Sequence, residues 1–405
     1  MTFLLSLLSG PVMANGQTTH LWISQQAVGH VGDADLAALL TAESDQLALG
    51  TMFPDGGYAI DHAYAETAHW EPFQDTFREW IQSTFDGVDD PLAAPYISFY
   101  MGLASHGMAD QVFDSMYMER SRVYDADFGW SDGSASLDTS QDIVFANLTY
   151  AQEPPEPLLP EILPTLFGNM GVEVDMETLQ TGQEWLDVAV LGVAGMSEVS
   201  SLVEMHTASF PWGCSHLLDE NMPGAPPFEA RMVARYWDSL WDDLKDNQRD
   251  LEVIGWWPPN GTMGHPQAAG DVESRLSLIF NRGLYLDAVT PEYVGVTAAD
   301  RTVDVSLDLF YRDHSHVVNV SPVDGWLDNE DHQLLVTEMI ATDGRTLTSN
   351  FTLDFSTRPD EAGESSDVSR GAAKSRGCTH HDGPSWAWVL CVSALAFRRQ
   401  YHTLV

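Results

Sequence analysis

The sequence predicts a mainly α-helical domain followed by a small β-sandwich domain. From residue 17 to about residue 150 the apolar residues recur at helical spacing. Three later segments, 303–311, 332–340 and 350–355, alternate apolar and polar residues as strands do. A chain of 405 residues is also too long for one small core, so two or more domains are expected.

The helical domain is predicted to cover residues 15–290. Its clearest helix spans residues 97–122, where Phe99, Leu103 and Val112 are interleaved with polar side chains. The remaining segments are assigned by the same criteria: helices at 176–208 and 228–247, and loops at 153–164 and 255–266.

The β-sandwich is predicted to cover residues 292–357 and to be of the bacterial Ig-like type. Turn signals such as PVDGWLDNED and TDGR separate its strands. Residues 358–385 are rich in Ser, Gly, Asp and Glu, a composition typical of a linker.

The amino-terminal stretch MTFLLSLLSGPVMANGQ predicts a secretory signal peptide over residues 1–14. Its apolar run is followed by Val12-Met13-Ala14, which places a small residue before a cut after Ala14. The usual basic residues at the start are missing. Export from the cytoplasm is the expected result.

The carboxy-terminal residues 386–405 hold an apolar stretch followed by Arg398-Arg399. Its twelve apolar-biased residues make only about 18 Å of helix, less than a bilayer span requires. Together with Cys378, this layout resembles the tripartite sorting tags of bacterial surface proteins. That resemblance implies anchoring at the cell surface or outer membrane, and contact with a membrane through the tail. The alternative is a disordered tail or one inserted into the core.

The charge balance separates this chain from most globular proteins. Eighteen Lys and Arg face sixty Asp and Glu, for a formal net charge of −42. Such a surface repels nucleic acid and anionic bilayers, and it suits cation binding. The alternative is an acidic surface that serves only solubility. Three cysteines without a CxxC pair argue against a disulfide framework, thiolate zinc sites and redox chemistry.

Histidine and aspartate recur within apolar or aromatic segments of the first third of the chain. The set comprises His20, Asp55, His69, His106, Asp110, Asp114, Asp138 and Asp142. A single His-x-x-x-Asp pair on a helix is usually an ordinary surface pair, but the whole set exceeds what solvation requires. Imidazole and carboxylate are zinc ligands, and two or three close ions suit phosphodiester hydrolysis.

The strings G-x-x-THxxI, FPD, T-x-HW and SHxxAD occur in this order over residues 16–110. In order and spacing they resemble the zinc-dependent phospholipase C family, which includes the amino-terminal part of glycosylphosphatidylinositol-specific phospholipase D. Single-strand nucleases belong to the same superfamily. The resemblance implies a helical phospholipase C-like catalytic domain and a phospholipid or other phosphodiester substrate.

The resemblance also implies the metal ligands. Asp55, His69, His106 and Asp110 match the four ligands of one zinc ion, and Asp110 would bridge to a second. In the superfamily the second ion is also held by the mature amino terminus and a histidine five residues on. A cut after Ala14 makes Asn15 that terminus, and His20 lies five residues beyond it. Asp55 would also orient or deprotonate the attacking water.

At the third ion position the chain departs from the family. Two family histidines are replaced by Asp114 and Asp138, and Asp142 follows four residues later. Three carboxylates favour a harder ion such as calcium, magnesium or manganese. Alternatively the third position is empty.

Three functions therefore remain open. The first is a secreted, metal-dependent phosphodiester hydrolase of the phospholipase C type. The second is a single-strand nuclease, which the acidic charge disfavours. The third is a non-enzymatic surface scaffold with a degenerate metal site. The aromatic residues near the motifs form either a lipid-facing groove or part of the core; they are Trp22, Phe53, Tyr58, Trp70 and Phe113.

Overall fold

The computed structural model describes the chain from Asn15 to Pro359, apart from residues 133, 157, 312 and 313 and the side chains of residues 131–136. The described residues belong to one compact unit, which ends at Asp360. The predicted signal peptide, nearly all of the predicted linker and the predicted sorting tail lie outside the described residues, so these three assignments stay predictions.

A helical domain precedes a sheet domain, as the sequence predicts. The described α-helices are α1 (Gln17–Val28), α2 (Ala34–Ala42), α3 (Ser44–Met52), α4 (Gly56–Ala59), α5 (Tyr64–His69), α6 (Glu71–Thr84), α7 (Ala94–Val112), α8 (Glu119–Tyr124), α9 (Ser134–Leu148), α10 (Leu163–Asn169), α11 (Met176–Ser197), α12 (Ser200–Ser209), α13 (Pro211–Ser215) and α14 (Pro226–Leu244). A 3₁₀ turn, Phe53–Asp55, joins α3 to α4, and a π-helical segment, Phe113–Met118, continues α7.

None of the described helices alone has the length and apolar composition of a membrane span. The helices α11 and α12 meet both criteria only as a pair, and that pair is bent by 100°.

Helix α7 lies at the centre of the helical domain and is buried continuously from Ile97 to Val112. It packs directly against the backbone of α3 because both helices have glycine at the crossing. A Cβ atom on Gly102 would lie 2.2 Å from the carbonyl oxygen of Leu47, and one on Gly50 would lie 2.0 Å from that of Phe99. This close approach fixes α7, and with it His106 and Asp110, relative to α3.

We expect Gly102→Ala to lower the free energy of unfolding by about 1–3 kcal/mol or more, because the added methyl group forces the two helices apart. The matched control is Gly192→Ala on α11, where a Cβ atom would meet nothing within 4 Å. Alanine there should be neutral or stabilising by up to about 1 kcal/mol. Urea unfolding measures both, and equal stability of the two variants would contradict the close packing.

The sheet domain has eight described strands in two antiparallel sheets. The strands are β1 (Val253–Trp257), β2 (Leu276–Leu284), β3 (Val294–Ala298), β4 (Arg301–Val303), β5 (Val305–Asp308), β6 (Ser315–Pro322), β7 (Asp331–Val336) and β8 (Phe351–Ser356). The first sheet has the order β1-β2-β6-β5, and the second has the order β4-β3-β7-β8. Two sheets are consistent with the predicted sandwich, while the Ig-like type stays a prediction.

The strands begin earlier than the sequence predicts, at Val253 rather than after residue 292. Strand β1 takes up the start of the segment 255–266 that was predicted as a loop, and β2 and β6 were missed. Both β2 and β6 are buried along almost their whole length, so neither shows the alternation of apolar and polar residues that marks a half-exposed strand.

The first sheet is the middle layer between the helices and the second sheet. Ile279 of β2 and Val317 of β6 belong to the same core as α7 and α14. Their neighbours Leu278 and Val318 belong to the core shared with the second sheet. Successive side chains of a strand point to opposite faces, so each face of this sheet has its own apolar core.

Candidate metal centre

Five of the predicted ligands converge in the helical domain. His20 lies on the first turn of α1, Asp55 ends the 3₁₀ turn after α3, His69 ends α5, and His106 and Asp110 lie one turn apart on α7. All five are buried. Four separate segments therefore deliver ligand-type side chains to one place.

The ligand-type atoms face one another at short range. The Nε2 atoms of His69 and His106 are 3.1 Å apart, and they lie 3.3 and 3.6 Å from Oδ1 of Asp55. Oδ2 of Asp110 lies 3.4 Å from Nε2 of His106 and 3.7 Å from Nε2 of His69. Four ligands around one tetrahedral zinc ion are separated by roughly 3.3 Å, given metal–ligand bonds of about 2 Å. The observed separations fit that geometry.

Backbone carbonyl groups orient two of the imidazoles. Nδ1 of His69 lies 2.6 Å from the carbonyl oxygen of Ala65, and Nδ1 of His106 lies 2.7 Å from that of Thr51. Donation from Nδ1 leaves Nε2 of each ring as the atom that faces the centre. This is the arrangement that metal-binding histidines commonly use.

His20 contributes a second group of ligand atoms around Asp110. Its Nε2 atom lies 3.0 Å from Oδ1 of Asp110, but the two atoms are not aligned as a hydrogen bond, and neither has another hydrogen-bond partner among the described residues. The rings of His20 and His106 stack with centroids 3.9 Å apart. Ligand atoms within 4.8 Å of one another form two sets: His20 with Asp55 and His106, and His69 with His106 and Asp110. The buried His/Asp cluster could therefore hold metal.

The electrostatics of the cluster favour a positive charge at its centre. Burial lowers the pKa of His106, but Asp110 and Asp55 outweigh it and raise that pKa to about 9. Burial raises the pKa of Asp55, yet His106 and His69 hold it well below its usual range. A bound cation would satisfy the same carboxylates, since both need a nearby positive charge.

Asn15, the predicted mature terminus, is buried beside the cluster. Its Nδ2 atom donates a hydrogen bond of 2.9 Å to Oε2 of Glu229 on α14. Glu229 is completely buried, and burial raises its pKa well above the usual range, with Asp110 and Asp114 adding to the effect. Sequence reasoning missed Glu229. The available signal was a carboxylate on the apolar face of α14, three residues before Met232.

Gln17 is a second residue that sequence reasoning missed. It lies one turn before His20 on α1, and its side-chain amide donates to Oδ2 of Asp55. The two oxygens of Asp55 therefore differ, since Oδ2 contacts an amide while Oδ1 faces the two imidazoles.

The three aspartates of the predicted third ion position have different surroundings. Asp142 accepts hydrogen bonds from the backbone N–H groups of Thr18 (3.2 Å) and Thr19 (2.8 Å), and so caps the amino terminus of α1. Asp114 accepts a hydrogen bond from Tyr311, and Asp138 has both oxygens buried without a hydrogen-bond partner in the described part of the chain. Burial raises the pKa of Asp114 to about 8 and that of Asp142 to about 6.

The aromatic residues near the motifs divide between core and site. Phe53 and Phe113 are core residues. Tyr58 and Trp70 flank His69 and both donate hydrogen bonds to Glu66, at 2.9 and 2.8 Å. Trp22 is half-buried and packs edge-on against Phe145. Only Tyr58 and Trp70 of the five are therefore placed to contact a molecule at His69.

Comparisons with known proteins give a weak similarity over a short stretch. No protein-family model matches the chain. Over 115 residues the chain is 26% identical to the phosphatidylinositol-glycan-specific phospholipase D of Bos taurus, and likewise to that of Rattus norvegicus. The match takes in 26% of this chain and 14% of each relative, so only a small part of the relatives' length is covered.

Solved structures add nothing to this similarity. The N-terminal part of the bacterial S-layer protein SbsC aligns over 79% of both chains at 10% identity, with a TM-score of 0.22. That score is too low to support an argument about fold or function. The short phospholipase D match is thus the similarity that bears on function, and it points to a family of phospholipid-hydrolysing enzymes.

Proposed function

We propose that the chain is a metal-dependent phosphodiester hydrolase of the phospholipase C type, acting on phospholipid head groups. The observation that carries the proposal is the buried cluster of His20, Asp55, His69, His106 and Asp110, whose ligand atoms face one another at spacings that fit bound zinc. The short similarity to a phospholipase D supports the choice of substrate.

Two zinc ions fit these side chains. Asp55, His69, His106 and Asp110 would hold the first, and His20, Asp110 and the amino terminus at Asn15 would hold the second. When bound, zinc lowers the pKa of a coordinated water and offsets negative charge on the phosphate.

The protein itself determines the direction of approach. Asp110 and His69 have side chains 10% and 8% exposed, whereas His20, Asp55 and His106 are at most 2% exposed. Substrate and water must therefore reach the centre from the side of His69 and Asp110. Gln17 holds Asp55 from behind through Oδ2, so that Oδ1 remains directed into the centre, where it can orient a water molecule.

A pocket of about 470 Å³ opens on this side. Trp70, Glu66 and Tyr311 line it, and Met170 contributes an apolar patch. Trp70 follows His69 directly in the chain, so a phosphodiester that reaches His69 would place its head group against these walls.

The test is hydrolysis by the protein that begins at Asn15, loaded with zinc. The substrates are a soluble bis-aryl phosphodiester, a short-chain phospholipid and single-stranded DNA. We expect release of phosphorylated head group from the lipid and little action on DNA, since the net charge of −42 repels a polyanion. Asp110→Asn should abolish turnover, and Asp90→Asn on the surface is the matched control. Retention of zinc without any phosphodiester hydrolysis would leave the scaffold function, and preferential cleavage of DNA would favour the nuclease.

We propose further that the protein is exported and anchored at a bacterial surface. This rests on the sequence of residues 1–14 and 386–405 alone. Cell fractionation with and without residues 386–405 tests it: the full chain should sediment with the envelope, and the shortened chain should appear in the medium. Recovery of both in the cytoplasm would refute the proposal.

A further inference from the structure

Two buried carboxylates lie beside the candidate metal centre and outside its two ligand sets. Asp114 is in the π-helical segment after α7 and is completely buried, while Asp138 on α9 is 3% exposed. In the described part of the chain, Oδ1 of Asp114 and both oxygens of Asp138 have no hydrogen-bond partner. Carboxylate oxygens of this kind are the ligands that hard divalent cations prefer.

The hydroxyl group of Tyr311 occupies Asp114. It donates a hydrogen bond of 2.5 Å to Oδ2 of that carboxylate. Tyr311 comes from the connection between β5 and β6, so a residue of the sheet domain enters the acidic chamber of the helical domain. Its ring is held edge-on against Trp70, with centroids 4.8 Å apart.

The position of Tyr311 is set by further contacts between β6 and the helix that carries the ligands. Oε1 of Gln111 accepts a hydrogen bond of 2.6 Å from the backbone N–H of His316. Nδ2 of Asn319 donates one of 3.0 Å to the carbonyl oxygen of Ser115. Gln111 and Ser115 lie immediately after Asp110 and Asp114 in the chain. The sheet is therefore attached at the turns that carry these carboxylates.

We propose that Tyr311 is a positioning residue that limits the metal centre to two ions. Its hydroxyl proton satisfies Asp114 in the place of a cation that Asp114 and Asp138 would otherwise share. A hard divalent ion needs several oxygen ligands at about 2.0–2.6 Å, and an oxygen that accepts a short hydrogen bond from a phenol is not free to serve as one. The proposal rests on the metal centre of the proposed function.

The test counts bound ions in the full chain, after loading with zinc and dialysis against manganese, by elemental analysis and by the electron paramagnetic resonance signal of Mn²⁺. We expect two ions in the wild-type protein. Tyr311→Phe, which keeps the ring and loses the hydroxyl group, should bind a third. The double variant Tyr311→Phe, Asp114→Asn should return to two, because the amide replaces the carboxylate that receives the ion.

Each other outcome is decisive. Three ions in the wild-type protein, or two in Tyr311→Phe, would overturn the role of Tyr311 and leave the proposed function intact. No ions in any form would overturn both. If Tyr311→Phe does not fold, Asp114→Asn in the wild-type background decides: an unchanged count of two supports the proposal, and the loss of one ion overturns it.

Discussion

His106→Ala is expected to remove metal from the protein and to abolish the dependence of its stability on metal. His106 supplies Nε2 to both sets of ligand atoms and is completely buried. An ion that binds only the folded protein stabilises it by about 4 kcal/mol when its free concentration is roughly 1,000-fold above Kd. Addition of a chelator should therefore lower the melting temperature of the wild-type protein by several degrees and leave that of His106→Ala unchanged.

The surface variant His30→Ala serves as the control, because His30 is exposed and belongs to neither set of ligand atoms. It should keep the wild-type metal content and response to chelator. His106→Gln is a second variant of closer size, in case the alanine variant does not fold. If either folded His106 variant keeps a full complement of ions, the cluster is not the metal centre.

Arg282→Met should destabilise the fold by about 3–5 kcal/mol, because it removes one partner of a buried ion pair. Arg282 lies on β2 and is 1% exposed; its guanidinium group lies 3.2 Å from Oε1 of Glu71 on α6 and contacts Asp243 on α14. Burial lowers the pKa of Arg282, but these acidic neighbours raise it above its usual range. Methionine would leave the buried carboxylate of Glu71 without its nearest cation.

The matched control is Arg122→Met, which removes an arginine whose side chain is 52% exposed and which pairs with Glu119 at 3.0 Å within one helix. An exposed pair of this kind contributes at most about 1 kcal/mol. Urea unfolding followed by tryptophan fluorescence measures both variants. A loss for Arg282→Met no larger than that for Arg122→Met would show that the pair does not hold the sheet to the helices.

The sequence predicted the five residues that meet at the centre because their motifs keep both order and spacing, as in FPD and SHxxAD. It could not predict the residues that complete the surroundings. Glu229 reaches Asn15 across 214 positions of the chain, and Tyr311 reaches Asp114 across 197. No local pattern encodes such pairs, since each depends on how distant elements pack. The role of Asp142 as a helix cap was hidden for the same reason.

The fold class was predictable where elements show a solvent-facing side. The half-exposed strand β7 alternates along its length and was predicted at nearly its observed position. Strands β2 and β6, which are buried on both faces, have lost that alternation and were missed. The predicted helix at 176–208 is two helices, because α11 ends at Ser197 and α12 departs at a bend of 100°.

The middle position of the first sheet also bears on how such a protein evolves. Each face of that sheet contributes to a different apolar core, and a break in the chain near residue 290 would separate β2 from its hydrogen-bonded neighbour β6. The sheet region therefore cannot have been gained, lost or exchanged as an independent cassette without exposing the helical core. The two regions behave as a single heritable unit, and homologues that share this helical core should also carry the first sheet.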